Sequence, residues 1–250
     1  MDSLFEPFIV ALLAFFSSMV GAVVGAGGGF IFIPAASLIG LPPQQLIPSS
    51  LSMVFANAVS ASLQRYRSGG LNVSKTAVLG VAALPLAVLG SLISSGLSLQ
   101  HFRAGFGLFL LTASVFVLTV REGLLKPRAE PSFYRVLLTV VAAGFFSTLF
   151  GIGGGVIMVP ALILTAGVEV HRAVATSQLV TFFTAAVGVA SYLAQGHFYP
   201  LLYAVAGVMG LAGGYVGSGI EMRMESQKLG RFVFTVFALV GIYMLFSSLQ

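Results

Sequence analysis

Two stretches of this chain, residues 7–39 and 133–166, stay apolar for 33 and 34 residues. As helix each would be about 50 Å long, against a bilayer hydrocarbon core of about 30 Å. Both must therefore break, and the break is written in the residues. Gly25-Ala26-Gly27-Gly28-Gly29 interrupts the first stretch and Gly151-Ile152-Gly153-Gly154-Gly155 the second, each followed five residues later by a proline, Pro34 or Pro160. Glycine lifts side-chain restraint from the backbone and proline removes a backbone donor. Each stretch reads as a long helix, a non-helical break and a half-helix, at about 30–39 and 156–166.

Six further apolar runs, at about 49–64, 76–97, 104–120, 173–194, 199–220 and 232–249, leave little to make a water-facing surface. Of 250 residues 58% are apolar and 8% charged, where a soluble domain carries about 25% charged residues. The fold class is an all-α polytopic membrane protein whose main surroundings are the lipid bilayer. The net charge of +5 comes in twos and threes between apolar runs, which orients helices in a membrane and gives no stripe for nucleic acid. With no cysteine, disulfides, thiolate metal sites and cysteine nucleophiles are excluded. Acids at Asp2 and Glu6 stand where a cleaved leader would be basic, so the first run reads as a retained helix.

The two broken stretches match one another at an offset of 126 or 127. Gly27-Gly28-Gly29 falls on Gly153-Gly154-Gly155, Pro34-Ala35 on Pro160-Ala161, Ser49-Ser50 on Thr176-Ser177, Gly69 on Gly196, Gly80 on Gly207 and Gly90-Ser91 on Gly217-Ser218. The chain thus reads as two homologous repeats, residues 1–120 and 132–250, joined by a cytoplasmic connector at 121–131. Charge then selects the topology. If every apolar run crossed once, the basic loops at 65–75 and 221–231 would lie on opposite sides, against the positive-inside tendency. If each long stretch turns back at its glycines, the repeats are inverted and both loops are cytoplasmic. A parallel arrangement misplaces one basic loop, at small cost because Glu221 and Glu225 lie there too.

The candidate substrate site follows from the breaks. Non-helical backbone is tolerated inside a membrane where protein encloses it or where it lines a watery cavity. Freed N–H groups and the positive end of the following half-helix favour an anion there. Gly27, Gly28, Gly29, Gly153, Gly154 and Gly155 are the candidates, and close helix packing is the competing reading. Ser49, Ser50 and Asn57 on one helix, and Thr176, Ser177, Gln178 and Thr181 on its counterpart, open polar stripes that hold an oxyanion or simply bond neighbouring helices. The ridges Gly80, Ala83, Ala87, Gly90 and Gly207, Gly210, Gly214, Gly217 read as packing surfaces. His101, His171 and His197 read as interfacial, with no spacing for a metal, and Arg103 and Arg172 as snorkelling cations or attractors at a vestibule.

All seven acids, Asp2, Glu6, Glu122, Glu130, Glu169, Glu221 and Glu225, fall at a terminus or in a loop in this reading, leaving no intramembrane carboxylate as a proton relay. Export of an anion needs none, because an inside-negative potential releases about 2.3 kcal/mol per charge per 100 mV. No nucleophile, base and orienting residue share a buried face, so the chain reads as a carrier and not an enzyme, without cofactor or metal.

The repeated glycine clusters with their prolines, and above all Gly151-Ile152-Gly153-Gly154-Gly155-Val156-Ile157-Met158-Val159-Pro160 with Ala175-Thr176-Ser177, resemble the TauE/SafE family. The first copy departs from it, with Pro48-Ser49-Ser50 in place of Ala-Thr-Ser. The resemblance implies a secondary permease, an exporter of sulfite, thiosulfate or an organosulfonate, in a prokaryotic cytoplasmic (inner) membrane. A passive anion channel and a membrane subunit of a larger complex are the alternatives, and a homodimer is an assembly compatible with each.

Overall fold

The computed structural model describes residues 5–37, 39, 41–94, 105, 107–108, 111–112 and 132–248. Nine helices are bounded among them: α1 Phe5–Val24, α2 Gly29–Ser37, α3 Pro43–Arg67, α4 Val73–Ser94, α5 Phe133–Leu149, α6 Gly155–Ala166, α7 Val170–Ala194, α8 Pro200–Glu221 and α9 Ser226–Ser248. Most of the 104–120 run and all of the 121–131 connector lie outside the described residues. Five helices, α1, α3, α4, α7 and α8, contain spans long and apolar enough to cross a bilayer.

Local chemistry sets the boundaries. Pro43 and Pro200 open α3 and α8, at the first-turn positions where a missing N–H costs nothing. For this reason α3 begins six residues before the apolar run that announced it. Gly69 after α3 and Gly196 after α7 close those helices with φ of 74° and 85°, the left-handed region that glycine enters without a Cβ penalty. The same freedom is used at the breaks, where Gly25, Gly27 and Gly28 have φ of 79°, 73° and 93°, and Gly151 and Gly153 have 66° and 70°.

Both long stretches double back at these glycines. The N–H groups of Ala26 and Gly27 donate to the Gly21 carbonyl at 2.8 and 3.2 Å, and Gly28 is pressed against the backbone of Ser17 and Ser18. Ile152 likewise donates to the Ser147 carbonyl at 3.1 Å, and Gly154 sits on Ser147 and Ala143.

Side-chain contacts fix the directions of the helices. Ser18 meets Gly210 and Met19 meets Gly217, so α1 runs with α8. Ser52 bonds the Tyr203 carbonyl and Gln64 that of Tyr215, so α3 also runs with α8. Two helices joined only by α2 therefore point the same way, which requires α2 to carry the chain back. On the other side Ala83 meets Gly144 and Thr148 bonds the Ala87 carbonyl, so α4 runs with α5. Where the two groups meet, Phe55 of α3 stacks on Phe182 of α7 at 5.2 Å and Leu51 packs on Gly188, an antiparallel crossing.

Lipid tails are as apolar as leucine, so burial alone does not bind helices in a membrane; close van der Waals approach does. The small-residue ridges supply it. Gly210 lies on the Met53 backbone, Gly217 on Met19, Gly90 on Phe145 and Gly214 on Asn57, leaving no room for a Cβ at any of the four. Large side chains such as Phe30, Phe32, Met53, Ile152 and Met158 fill the interior, while Phe8, Phe16, Leu138 and Phe246 face outward as lipid-facing residues do.

One expectation about charge is corrected. Glu221 is the last residue of α8, fully buried and ion-paired with Arg65, and so lies outside any loop. That pair also puts the end of α3 and the end of α8 together, so the 65–75 and 221–231 loops leave the bundle at the same end.

Candidate functional site

The two glycine breaks face each other at the middle of the molecule. Gly29, which opens α2, rests on the Gly151 carbonyl and the Ile152 Cα; Gly155, which opens α6, rests on the Gly25 carbonyl and the Ala26 Cα. A side chain at either place would push the breaks apart. The N-termini of two half-helices thus converge on one spot, each carrying about half a positive charge on its free N–H groups. The N–H groups of Gly28, Gly29, Gly153 and Gly154 have no acceptor among the described residues.

Ser50 and Ser177 clasp this contact. The Ser50 hydroxyl donates to the Gly151 carbonyl at 2.7 Å, and the Ser177 hydroxyl donates to the Gly25 carbonyl, also at 2.7 Å. Each serine therefore satisfies the opposite half's break. Their protons are committed, so in this conformation they position the backbone and do not donate to a ligand. Asn57 holds the outer wall of the first break: its Nδ2 donates to the Ser18 carbonyl and hydroxyl at 2.7 and 2.6 Å. Gln178 donates to the Ala22 carbonyl at 3.4 Å, and the Thr181 methyl lies beside Gly153, with Val54 wedged between Gly27 and Gly153.

Several polar atoms here are buried and have no hydrogen-bond partner among the described residues: Ser49 Oγ, Asn57 Oδ1, Gln178 Oε1 and Thr181 Oγ1. Burying such a group without a partner costs about 1–3 kcal/mol in proteins, a cost that a ligand or water would remove. Of these, the Ser49 and Thr181 hydroxyls can also donate, whereas the two amide oxygens only accept. The chemistry on offer is a set of neutral N–H and hydroxyl dipoles at the meeting half-helix ends, of the kind that suits an oxyanion.

Sequence reasoning placed one residue elsewhere. Thr176 is half-buried and lines a half-open cavity of about 620 Å³ at the Arg65 end of the bundle, with Asn72, Thr76, His171 and Arg172 among the other lining residues. His171, read as interfacial, places Nδ1 2.7 Å from Glu221 Oε1. Arg65, Ser18 and Glu221 went unrecognised. Ser18 stands beside Ser17 as a hydroxyl pair inside an apolar helix, a visible but weak signal, while the Arg65 and Glu221 pairing depends on helix directions that no local pattern gives.

Comparison with known proteins agrees with this architecture. The sequence pattern described as sulfite exporter TauE/SafE matches residues 10–244. The probable membrane transporter protein YunE of Bacillus subtilis is 25% identical over 96% of this chain and 98% of its own length. The probable membrane transporter protein MJ0441 of Methanocaldococcus jannaschii is 26% identical over 95% and 94%. Sulfite exporter TauE/SafE family protein 6 of Arabidopsis thaliana is 27% identical over 48% of this chain and 28% of its own length. No solved structure matches. With the family pattern spanning nearly the whole length and a multi-helix, bilayer-spanning fold, this chain belongs to the TauE/SafE family of membrane transporters.

Proposed function

We propose that this transporter is a secondary permease, an exporter, for a small sulfur-containing anion such as sulfite, thiosulfate or a short organosulfonate, in a prokaryotic cytoplasmic (inner) membrane. The observation that carries the reading is the meeting of the two half-helix N-termini, with unpartnered N–H groups at Gly28, Gly29, Gly153 and Gly154. Neutral donors can hold the oxygens of such an anion without the added cost of burying a fixed countercharge. Two inverted repeats would exchange packing across the α3–α7 crossing and expose the centre to one side at a time. Support for inversion comes from the antiparallel crossing and from matched bonds such as Ser50 to Gly151 and Ser177 to Gly25. A passive channel needs a continuous wet path, and direct backbone contact between the breaks favours a carrier over it.

The test is uptake of radiolabelled sulfite, thiosulfate and a short organosulfonate into liposomes holding the purified protein under an imposed potential. Saturable, potential-driven flux that is lost in Gly154→Val, with the variant still folded, is the expected result. Flux that rises linearly with concentration would point to a channel, and an unimpaired Gly154→Val would remove the breaks from the mechanism. Cysteines introduced as Gly69→Cys and Gln227→Cys should both be labelled from the cytoplasmic side; labelling from opposite sides ends the inverted arrangement.

A further inference from the structure

The cavity at the Arg65 end combines three features that the central site does not explain. Arg65 is 7% exposed and its guanidinium carries more donors than the single carboxylate of Glu221 can fill. His171 and Arg172 occupy the first turn of α7, which contains no acidic residue of its own; the nearest carboxylates are Glu169 at the N-cap and Glu221, which contacts His171. The Arg172 guanidinium opposes the dipole at this helix end, and an anion would offset that. The acid beside them, Glu169, lies 4.0 Å from Arg172 with both side chains largely exposed, which gives little compensation.

The same cluster links the two helix groups. Arg65 and Glu221 belong to α3 and α8, which run together, whereas His171 belongs to α7, which runs the other way. The His171–Glu221 contact at 2.7 Å is thus a tie between the two helix groups, beside an open cavity. Positions 127 away at the opposite end are uncharged: Tyr192 answers Arg65, Gln44 answers His171, Gln45 answers Arg172 and Ser94 answers Glu221. The feature is one-sided.

We propose that this cavity is a second anion site, a waiting site in which a small oxyanion bonds Arg65, His171 and Arg172, and takes His171 from Glu221. Which anion it holds rests on the permease reading above; the cavity, the buried guanidinium and the tie do not. Binding there loosens the link between the helix groups at the loading end, so arrival of cargo and release of the latch are one event.

Equilibrium dialysis of the purified full chain against radiolabelled sulfite tests it. Two sites per chain are expected. Arg172→Gln, at a largely exposed position that leaves the fold intact, should weaken one of them about tenfold, the effect of losing one charge-assisted hydrogen bond, and Arg172→Lys should restore part of it. Gly154→Val should remove only the other. Two sites unaffected by Arg172→Gln, or a single site lost only in Gly154→Val, overturns the waiting site. A single site lost in Arg172→Gln and indifferent to Gly154→Val keeps the waiting site and overturns the central reading. No sulfite binding at all overturns both.

Discussion

Ser50 and Ser177 stand 127 residues apart and make matching bonds, each to a carbonyl in the other half's break at 2.7 Å. Arg65 and Tyr192 stand 127 apart as well, yet one closes an ion pair and the other is a buried tyrosine near an uncharged end. The difference divides the molecule by duty. On the proposed alternating-access reading, a centre that packs in two opposed conformations would keep the same bonds in both halves. Ends facing different solutions would have no such constraint.

The strongest test of the symmetric centre is to add one carbon to each break. A Cβ at Gly155 would overlap the Gly25 carbonyl, and one at Gly29 would lie 2.5 Å from the Gly151 carbonyl and 2.6 Å from Ser50 Oγ. Gly155→Ala and Gly29→Ala should each cost about 3 kcal/mol or more, read as loss of monodisperse protein and a lowered Tm. Gly154→Ala meets nothing closer than 3.3 Å and should stay folded. If Gly155→Ala behaves like Gly154→Ala, the breaks are not in contact.

The asymmetric ends come next in size. Arg65→Met leaves the fully buried Glu221 with His171 alone and should destabilise by about 3 kcal/mol, with much of the loss recovered in Arg65→Met/Glu221→Leu. Thermal unfolding in detergent measures both. At the opposite end Tyr192→Phe keeps the buried ring and should change stability by less than about 1.5 kcal/mol. Equal losses at the two ends would erase the contrast.

These cases also show what was legible beforehand. Runs of apolar residues and breaks at consecutive glycines are local, and the chain announces them; the start of α3 at Pro43, six residues ahead of its apolar run, is not among them. Charge distribution alone pointed to the shared end of the 65–75 and 221–231 loops, which the Arg65–Glu221 pair now joins. Not legible was which polar atom meets which. Ser50 reads equally as a donor to a ligand or as a bond to a neighbouring helix, and nothing in sequence reveals that its proton reaches a carbonyl 101 residues away. Glu221 looked solvated because it borders a basic loop; one residue of helix length decides that it is buried.

Third in size is the clasp. Removing either hydroxyl leaves a buried carbonyl short of a partner, at about 1–3 kcal/mol, and matching geometry predicts equal losses for Ser50→Ala and Ser177→Ala. Unfolding midpoints that differ by more than about 1 kcal/mol would mean that the halves share a pattern but not a load.

The smallest effect should separate positions where the halves match in place but not in chemistry. Asn57 and Thr184 also stand 127 apart; Asn57 donates at 2.7 and 2.6 Å to Ser18, whereas Thr184 contacts Ser147 at 3.2 Å and the Thr181 carbonyl at 3.4 Å. Shorter contacts and two acceptors make Asn57 the stiffer support, and its unpartnered Oδ1 faces no competing donor among the described residues. Asn57→Leu should therefore raise the half-saturating sulfite concentration about tenfold through misplacement of the first break, and Thr184→Val by about twofold or less. Because neither side chain reaches the Arg172 cavity lining, both variants should keep the waiting site at wild-type affinity in dialysis. An Asn57→Leu protein with unchanged half-saturation would make that residue a packing element, and would shift the weight of binding to the second break, where Thr181 holds the free hydroxyl.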